Sequence, residues 1–206
     1  GIGRGESAAG FWGQLEASGF ADALVPEEKG GAGLALADVF PLVELCGTYA
    51  VPVPLAETML ARGLLAQAGV EPPAGSIALA SSAAGTGGGV RCDLVAFGRV
   101  ADWVLVQQDG ECLLLPVAHA ERGEAVFPLD AALTWGSAAA AAAKRVSGGH
   151  DLQTLQACVA AAQLAGTLMS VFTRTLQYAN ERNQFGRPIG KFQAIQHQLS
   201  VLSEHA

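Results

Sequence analysis

Residues 178–200 read YANERNQFGRPIGKFQAIQHQLS, and they set Arg182, Gln184, Phe185 and Gln193 within two dozen positions. An arginine presents a planar fork of N–H donors that suits a phosphate or carboxylate. The Gln184 amide and the N–H groups of a turn add donors for a pyrophosphate. Phe185 can cover a flat ring, and Gln193, early in the next helix, can reach back toward both. A helix hairpin closed by a capping arginine needs the same residue types, so composition leaves both readings open.

The other reactive side chains form no such group. His119, His150, His197 and His205 have no spacing that suits a metal with nearby carboxylates or thiolates. His197 and Glu204 lie two helical turns apart, roughly 10 Å by helical rise, too far to share an ion. No catalytic-residue site is predicted and no metal site. GxSxG, HExxH and phosphate-loop patterns are missing. The glycine-rich AAGTGGG at 83–89 lacks a following GK[ST] and opens no helix, so it reads as a loop. Glu27-Glu28-Lys29 reads as a solvated turn.

Three compositional zones must position these residues. Up to Gly69 the pattern is helical. Phe11, Leu15 and Phe20 form a rough stripe that Gly19 stops. Leu36, Val39, Phe40, Val43 and Cys46 step by three or four along a second helix, where Pro41 predicts a kink or an early break. A third helix ends at Gly69. From 70 to 148 the period shortens: SIALASS, RCDLVAFG, DWVLVQQDG and ECLLLPVA are apolar runs between turn residues, and Asp109-Gly110 marks a tight hairpin. The stretch SAAAAAAK at 137–144 fits strand, helix or linker equally.

From 149 a long helix starts at an Asp151 N-cap and runs to about Arg182. Leu155, Val159, Ala162, Gly166, Met169, Phe172, Leu176 and Ala179 line one stripe, and the small residues at 160–166 would let another helix approach closely. QFGRPIG turns the chain into a last helix with Phe192, Ile195, Leu199 and Leu202 on one face. The predicted class is α+β: an N-terminal helical domain (1–69), a small antiparallel β-domain (70–148) and a partial C-terminal helical bundle (149–206). The last helix reaches Ala206 with its apolar face in phase, so either further chain or another subunit is expected to cover it.

Composition narrows the classes. Of 206 residues, 50% are hydrophobic and 15% charged, which excludes a disordered chain. Twelve basic against nineteen acidic residues give a net charge of −7, unlike a binder of nucleic-acid backbone. No apolar run is read as approaching the ~20 residues of a membrane span, and the N-terminal residues have no secretory pattern. Cys46, Cys92, Cys112 and Cys158 form no CxxC pair and read as buried, reduced thiols, favouring the cytoplasm.

The 178–200 segment resembles the acyl-CoA dehydrogenase family, whose members carry a close variant of Y-A-x-x-R-x-Q-F-G-x-P-I-x-x-F-Q-x-x-Q. LVPEEKGGAGL at 24–34 is similar to the family's N-terminal turn, and helices, β-domain, helices is its architecture. The resemblance implies FAD, an acyl-CoA substrate oxidised between its α and β carbons, electron-transfer flavoprotein as acceptor, and a homo- or hetero-oligomer. It also implies that Arg182, Gln184, Phe185 and Gln193 reach across an interface to the adenosine and pyrophosphate of a neighbour's FAD. Two departures stand out. No T-E-x-x-x-G-S-D segment occurs, and Leu94-Val95-Ala96 stand where W-I-T would face the flavin ring. Gln156-Ala157 stand where a minority of members carry a Glu-Arg pair in the long helix, the Glu as base; in most members the base lies beyond the position of Ala206. The implied chain is acyl-CoA dehydrogenase-like and contributes an FAD-adenosine half-site. The alternative is a catalytically silent subunit of a heteromer.

Overall fold

A computed structural model describes residues 7–82, 88–147 and 151–205. The chain divides into two compact units, one of residues 1–40 with 51–159, the other of 41–50 with 160–206. The glycine run at 83–87 and His150 lie outside the described residues.

The first unit opens with α1 (Ala9–Ala17). It stops where expected, at Gly19 in a left-handed conformation with φ 79°, a backbone that glycine adopts without a Cβ penalty. The inward face differs from the expected stripe. Trp12 is buried, whereas Phe11 and Phe20 are exposed. Glu16, one turn after Trp12, is tied to Arg62, and this sets the rotation of the helix. The Glu27–Lys29 turn is a 3-10 segment. It is not simply solvated, because the Lys29 ammonium donates to the Ala66 carbonyl.

The second helix, α2 (Leu36–Thr48), runs on through Pro41 rather than breaking there. Proline costs an interior helix one N–H bond and a steric clash, and the division between the two units falls at this residue. After it, α3 (Leu55–Gln67) is buried on nearly every side, as an all-round apolar helix must be. It takes two charged residues inside, Glu57 and Arg62, which are 8% and 4% exposed. Arg62 Nη1 donates to both Asp22 carboxylate oxygens at 3.0 and 3.1 Å, and its Nη2 to Glu16 Oε1 at 2.5 Å and the Gly75 carbonyl at 2.9 Å.

Two sheets follow. The first contains β1 (Ile77–Ser81), β3 (Trp103–Gln108), β4 (Glu111–Pro116) and β7 (Lys144–Val146) in the order β1-β3-β4-β7. The second orders β2 (Val90–Val95), β6 (Ala131–Trp135) and β5 (Glu121–Gly123) as β2-β6-β5. β3 and β4 form the expected hairpin, with Gln108 opposite Glu111 and both turn residues at positive φ. β1 pairs with β3 in parallel, Ile77 opposite Trp103, so the first sheet is mixed rather than antiparallel throughout. Local alternation marks a strand but carries no information about which distant strand it joins. Val104, Val106, Leu113 and Leu115 of one sheet share a buried core with Cys92, Leu133 and Trp135 of the other. The alanine run resolves as α4 (Ser137–Ala141).

α5 (Leu152–Glu181) begins in the first unit. Asp151 caps it as expected, accepting from the N–H groups of Gln153 and Thr154 at 3.1 and 3.2 Å. The Thr154 hydroxyl and N–H hold its carboxyl below the usual range. The Gln107 side chain accepts the Leu152 N–H at 3.0 Å, and the Gln156 amide donates to the Leu79 carbonyl at 2.7 Å.

In the second unit α5 meets the C-terminal half of α2. A Cβ on Gly166 would overlap the Glu44 carbonyl, and one on Gly47 would overlap the Gln163 carbonyl. Thr167 Oγ1 donates to the Gly47 carbonyl at 3.0 Å, and Thr48 Oγ1 to the Gly166 carbonyl at 3.3 Å. The close approach expected at 160–166 is therefore made by α2. Further along α5, Met169 and Leu176 stay exposed, as do Leu164 and Leu168. Among the described residues α5 is also long and apolar enough to cross a membrane, by length and composition alone. The sequence reading missed this because Gln163, Ser170 and Arg174 interrupt the apolar run without lowering its average enough.

Candidate functional site

The end of α5 folds into a miniature ribbon. The Arg182 N–H closes the last helical bond, to the Tyr178 carbonyl at 2.9 Å, and the Ile189 N–H returns to the Arg182 carbonyl at 2.8 Å. Between them β8 (Asn183–Gln184) pairs with β9 (Arg187–Pro188), Gln184 opposite Arg187. The two turn residues, Phe185 and Gly186, have φ 51° and 80°. That is the mirror-image turn whose twist suits a two-residue hairpin. Glycine accepts it freely. For Phe185 a left-handed backbone costs about 1–2 kcal/mol.

The strained ring gains little burial in return, because Phe185 is 93% exposed. It meets Phe192 edge to face, with centroids 6.2 Å apart and planes at 88°. The Arg187 guanidinium lies 4.2 Å from the centre of the same Phe192 ring. Phe192 in turn begins α6 (Gln193–His205), its carbonyl accepting the Ile195 and Gln196 N–H groups at 3.0 Å. The four residues singled out from sequence thus occupy one short segment. Arg182 follows α5, Gln184 lies on β8, Phe185 forms the turn, and Gln193 opens α6. All four are exposed. Arg182 has no ion-pair partner among the described residues. Sequence spacing set Phe192 on the apolar face of the last helix, which instead begins at Gln193, and did not relate it to Arg187, because a Pro-Ile-Gly turn separates the two and no helical or strand period joins them.

Arg182, Arg187 and Lys191 are cationic within ten residues of chain, against Glu181 alone, and the Glu181 carboxylate accepts the Gln177 amide at 2.7 Å. The segment therefore offers charged and neutral N–H donors beside an open aromatic face. This set fits a pyrophosphate linked to a planar base.

In the first unit Leu94 lies within a register shift between Cys92 and Val95, and Ala96 follows it. Val95 is buried and Leu94 is 60% exposed; none of the three side chains can donate or accept a hydrogen bond. Gln156 has committed its amide to Leu79, and an amide is no general base. A cleft of about 720 Å³ lined by Trp12, Glu16, Arg99, Asp102 and Arg122 lies in this unit, and none of the four segment residues lines it.

Glu16 shows how the first unit uses its charges. Burial alone pushes its carboxyl up, but the hydrogen bonds from Arg62 and the Gly75 N–H, with the Arg62 charge, outweigh burial and hold it below its usual value. Burial, with the Asp93 charge, pushes the Cys92 thiol up to about 12, and burial pushes Cys112 up as well. None of the four cysteines is in a disulfide among the described residues; Cys46, Cys92 and Cys112 are buried. Cys158 is exposed, one residue and so ~100° around α5 from buried Val159. No metal-binding group of His, Cys, Asp and Glu exists among the described residues.

The first unit holds helices and a small two-sheet domain, and the second holds an exposed turn with arginine and amide donors beside an open ring. The sequence model of the acyl-CoA dehydrogenase C-terminal domain matches residues 153–203, which span α5, the hairpin and α6. Acyl-CoA dehydrogenase IpdE2 of Mycolicibacterium smegmatis is 32% identical over 91% of this chain and 58% of its own length. Among solved structures, a variant of the steroid ACAD Tcur3481-Tcur3483 has 28% identity and a TM-score of 0.72, over 92% of this chain and 62% of that one. The ChsE4-ChsE5 complex from Mycobacterium tuberculosis shares the fold with a TM-score of 0.76 at 24% identity, over 95% and 64%. The chain belongs to the acyl-CoA dehydrogenase family. It spans 58% of the length of IpdE2. Within this family's C-terminal domain α5 reads as a bundle helix, which accounts for its membrane-like length and composition.

Proposed function

We propose that this chain is a subunit of an FAD-dependent acyl-CoA dehydrogenase and that its 182–193 segment contributes the adenosine half-site for FAD held mainly by a neighbouring subunit. The observation that carries this is Phe185, a strained and almost fully exposed ring beside an arginine with no ion-pair partner among the described residues. Strain kept in an open turn points to a role for the turn beyond the chain's own packing. Arg182 and Gln184 would hold the pyrophosphate, Phe185 would cover the adenine, and Gln193 would reach the same group from α6. FAD, when bound, supplies the hydride acceptor for α,β-dehydrogenation of an acyl-CoA thioester. Electron-transfer flavoprotein then takes the electrons. The buried thiols Cys46, Cys92 and Cys112 suit a reducing compartment, the cytoplasm.

A second reading has its own support. Gln156 occupies the helix position where some family members carry the base, and its amide is tied to Leu79. With Leu94, Val95 and Ala96 also unable to bond a flavin ring, this favours a subunit that is catalytically silent and lends its half-site to a heteromer. Two relatives in the comparison, Tcur3481-Tcur3483 and the ChsE4-ChsE5 complex, carry paired names consistent with that arrangement.

The experiment is Arg182→Ala in the purified oligomer, read as bound flavin per chain and as assembly state. Loss of a charge-assisted contact should weaken FAD binding by about tenfold to a hundredfold. Unchanged flavin with a weakened assembly would leave Arg182 only an interface role and overturn the half-site.

A further inference from the structure

Two rings and one cation in the 182–193 segment, Phe185, Phe192 and Arg187, form a chain of contacts closed by the turn backbone. Gln184 opposite Arg187 closes the turn, so Arg187 is the flank next to Gly186. From there its guanidinium reaches forward over Phe192, at 4.2 Å from the ring centre. Phe192 is held at the start of α6 by the N–H groups of Ile195 and Gln196 on its carbonyl. The same ring meets Phe185 edge to face at 6.2 Å. The turn tip, its flank and the helix start are thus linked through one aromatic ring. The remaining support at the turn is backbone: Gly190 approaches the Ala179 carbonyl so closely that a Cβ would lie 3.1 Å from it.

Free of this ring contact, an exposed phenylalanine samples several staggered rotamers. Any ligand that stacks on it must then select one. A ring already held against Phe192 avoids part of that ordering cost, and preorganisation of this kind raises affinity without adding a ligand contact. The cation is suited to the task, because guanidinium stacks on an aromatic face while its charge stays hydrated.

We propose that Arg187 is a positioning residue for the adenine-binding aromatic: through Phe192 it holds Phe185 in the orientation that receives a planar base attached to a pyrophosphate. This rests on the half-site reading above and deepens it. Arg187 acts on the ring, whereas Arg182 acts on the phosphate.

The test uses the purified, fully assembled protein, stripped of flavin and titrated with FAD, with ADP as a competitor that carries the adenosine and pyrophosphate alone. Arg187→Gln and Phe192→Leu should each weaken FAD and ADP by about threefold to fivefold, the range of an exposed cation–ring contact. Arg187→Lys should recover only part of the loss, because an ammonium keeps the charge over the ring but not the planar stacking, and the double variant should be no weaker than the worse single one. The melting temperature of the flavin-free protein should not move. Additive losses would instead make Arg187 an independent phosphate contact and overturn the proposal. If Arg182→Ala weakens FAD binding about tenfold or more while both Arg187→Gln and Phe192→Leu leave it intact, the positioning role alone falls. If Arg182→Ala also leaves FAD binding intact, the half-site reading falls and takes the positioning role with it.

Discussion

Arg62 and Arg182 carry the same guanidinium into opposite circumstances. Arg62 sits inside α3, buried, and its two terminal nitrogens are taken by Asp22, Glu16 and the Gly75 carbonyl. Arg182 sits past the end of α5, exposed, with its backbone rather than its side chain in the bonds that close the turn. A guanidinium whose two terminal nitrogens are taken inside the chain belongs to the fold, although the buried Arg62 Nε has no partner among the described residues. One whose donors are open beside a strained, exposed ring can be completed by something else. The same contrast separates the acids: the Glu16 carboxylate is bound to its arginine, whereas the Glu181 carboxylate accepts the neutral amide of Gln177.

The largest expected effect sharpens this contrast on the side of Arg62. Arg62→Ala strands Asp22 and Glu16, which are about a third exposed. It should lower unfolding free energy by about 2–4 kcal/mol, toward the low end for a broken buried pair because both acids keep some water. Urea unfolding reads this directly. Arg182→Ala in the same assay should stay within about 0.5 kcal/mol, as for other surface changes. An equal loss at Arg182 would break the comparison, since it would make both arginines structural.

Next in size is Gly166→Ala. A methyl there overlaps the Glu44 carbonyl, so α2 and α5 must separate, at about 1–3 kcal/mol by the cost of overpacking. Alanine at Gly10 meets nothing within 4 Å and should be neutral or stabilising. Matched thermal melts of the two variants would settle whether the helix crossing is as tight as it looks.

The smallest effect is in pH. The Glu16 carboxyl is held below its ordinary value of 4.5, chiefly by Arg62 and the Gly75 N–H against burial. A depressed carboxylate adds stability that is complete above 4.5 and is lost as pH falls through the folded-state value. Acid titration of the unfolding midpoint should therefore show a decline below 4.5 that Glu16→Gln reduces. An unchanged acid limb in that variant would mean that Arg62 does not need the Glu16 charge.

Much of the fold was legible because its signals are local. Gly19 and Gly69 stop helices through left-handed backbone, Asp151 caps α5 with its own carboxylate, and Asp109-Gly110 turns a hairpin. Each acts within a few residues of itself. The 182–193 segment was legible for the same reason, since its donors and rings follow one another along the chain. The misses were long-range. Trp12 rather than Phe11 faces inward because Arg62, forty-six positions from Glu16, pulls on the next turn. Cys158 is exposed because of where Val159 packs, not because of its own chemistry.

The sequence by itself determined several element ends, such as the Gly19 and Gly69 stops and the Asp151 cap, and it placed Arg182, Gln184, Phe185 and Gln193 in one turn-centred segment, since backbone propensity and capping need only neighbours; it left the alanine run at 137–144 and the passage through Pro41 to the fold. Only the tertiary structure decided that β1 joins β3 in parallel, that the terminal nitrogens of Arg62 are taken while Arg182 is exposed, and that Arg187, Phe192 and Phe185 meet in a single support. Those outcomes depend on which distant groups compete for the same donors and the same apolar surface, and that competition is resolved only when the chain is folded.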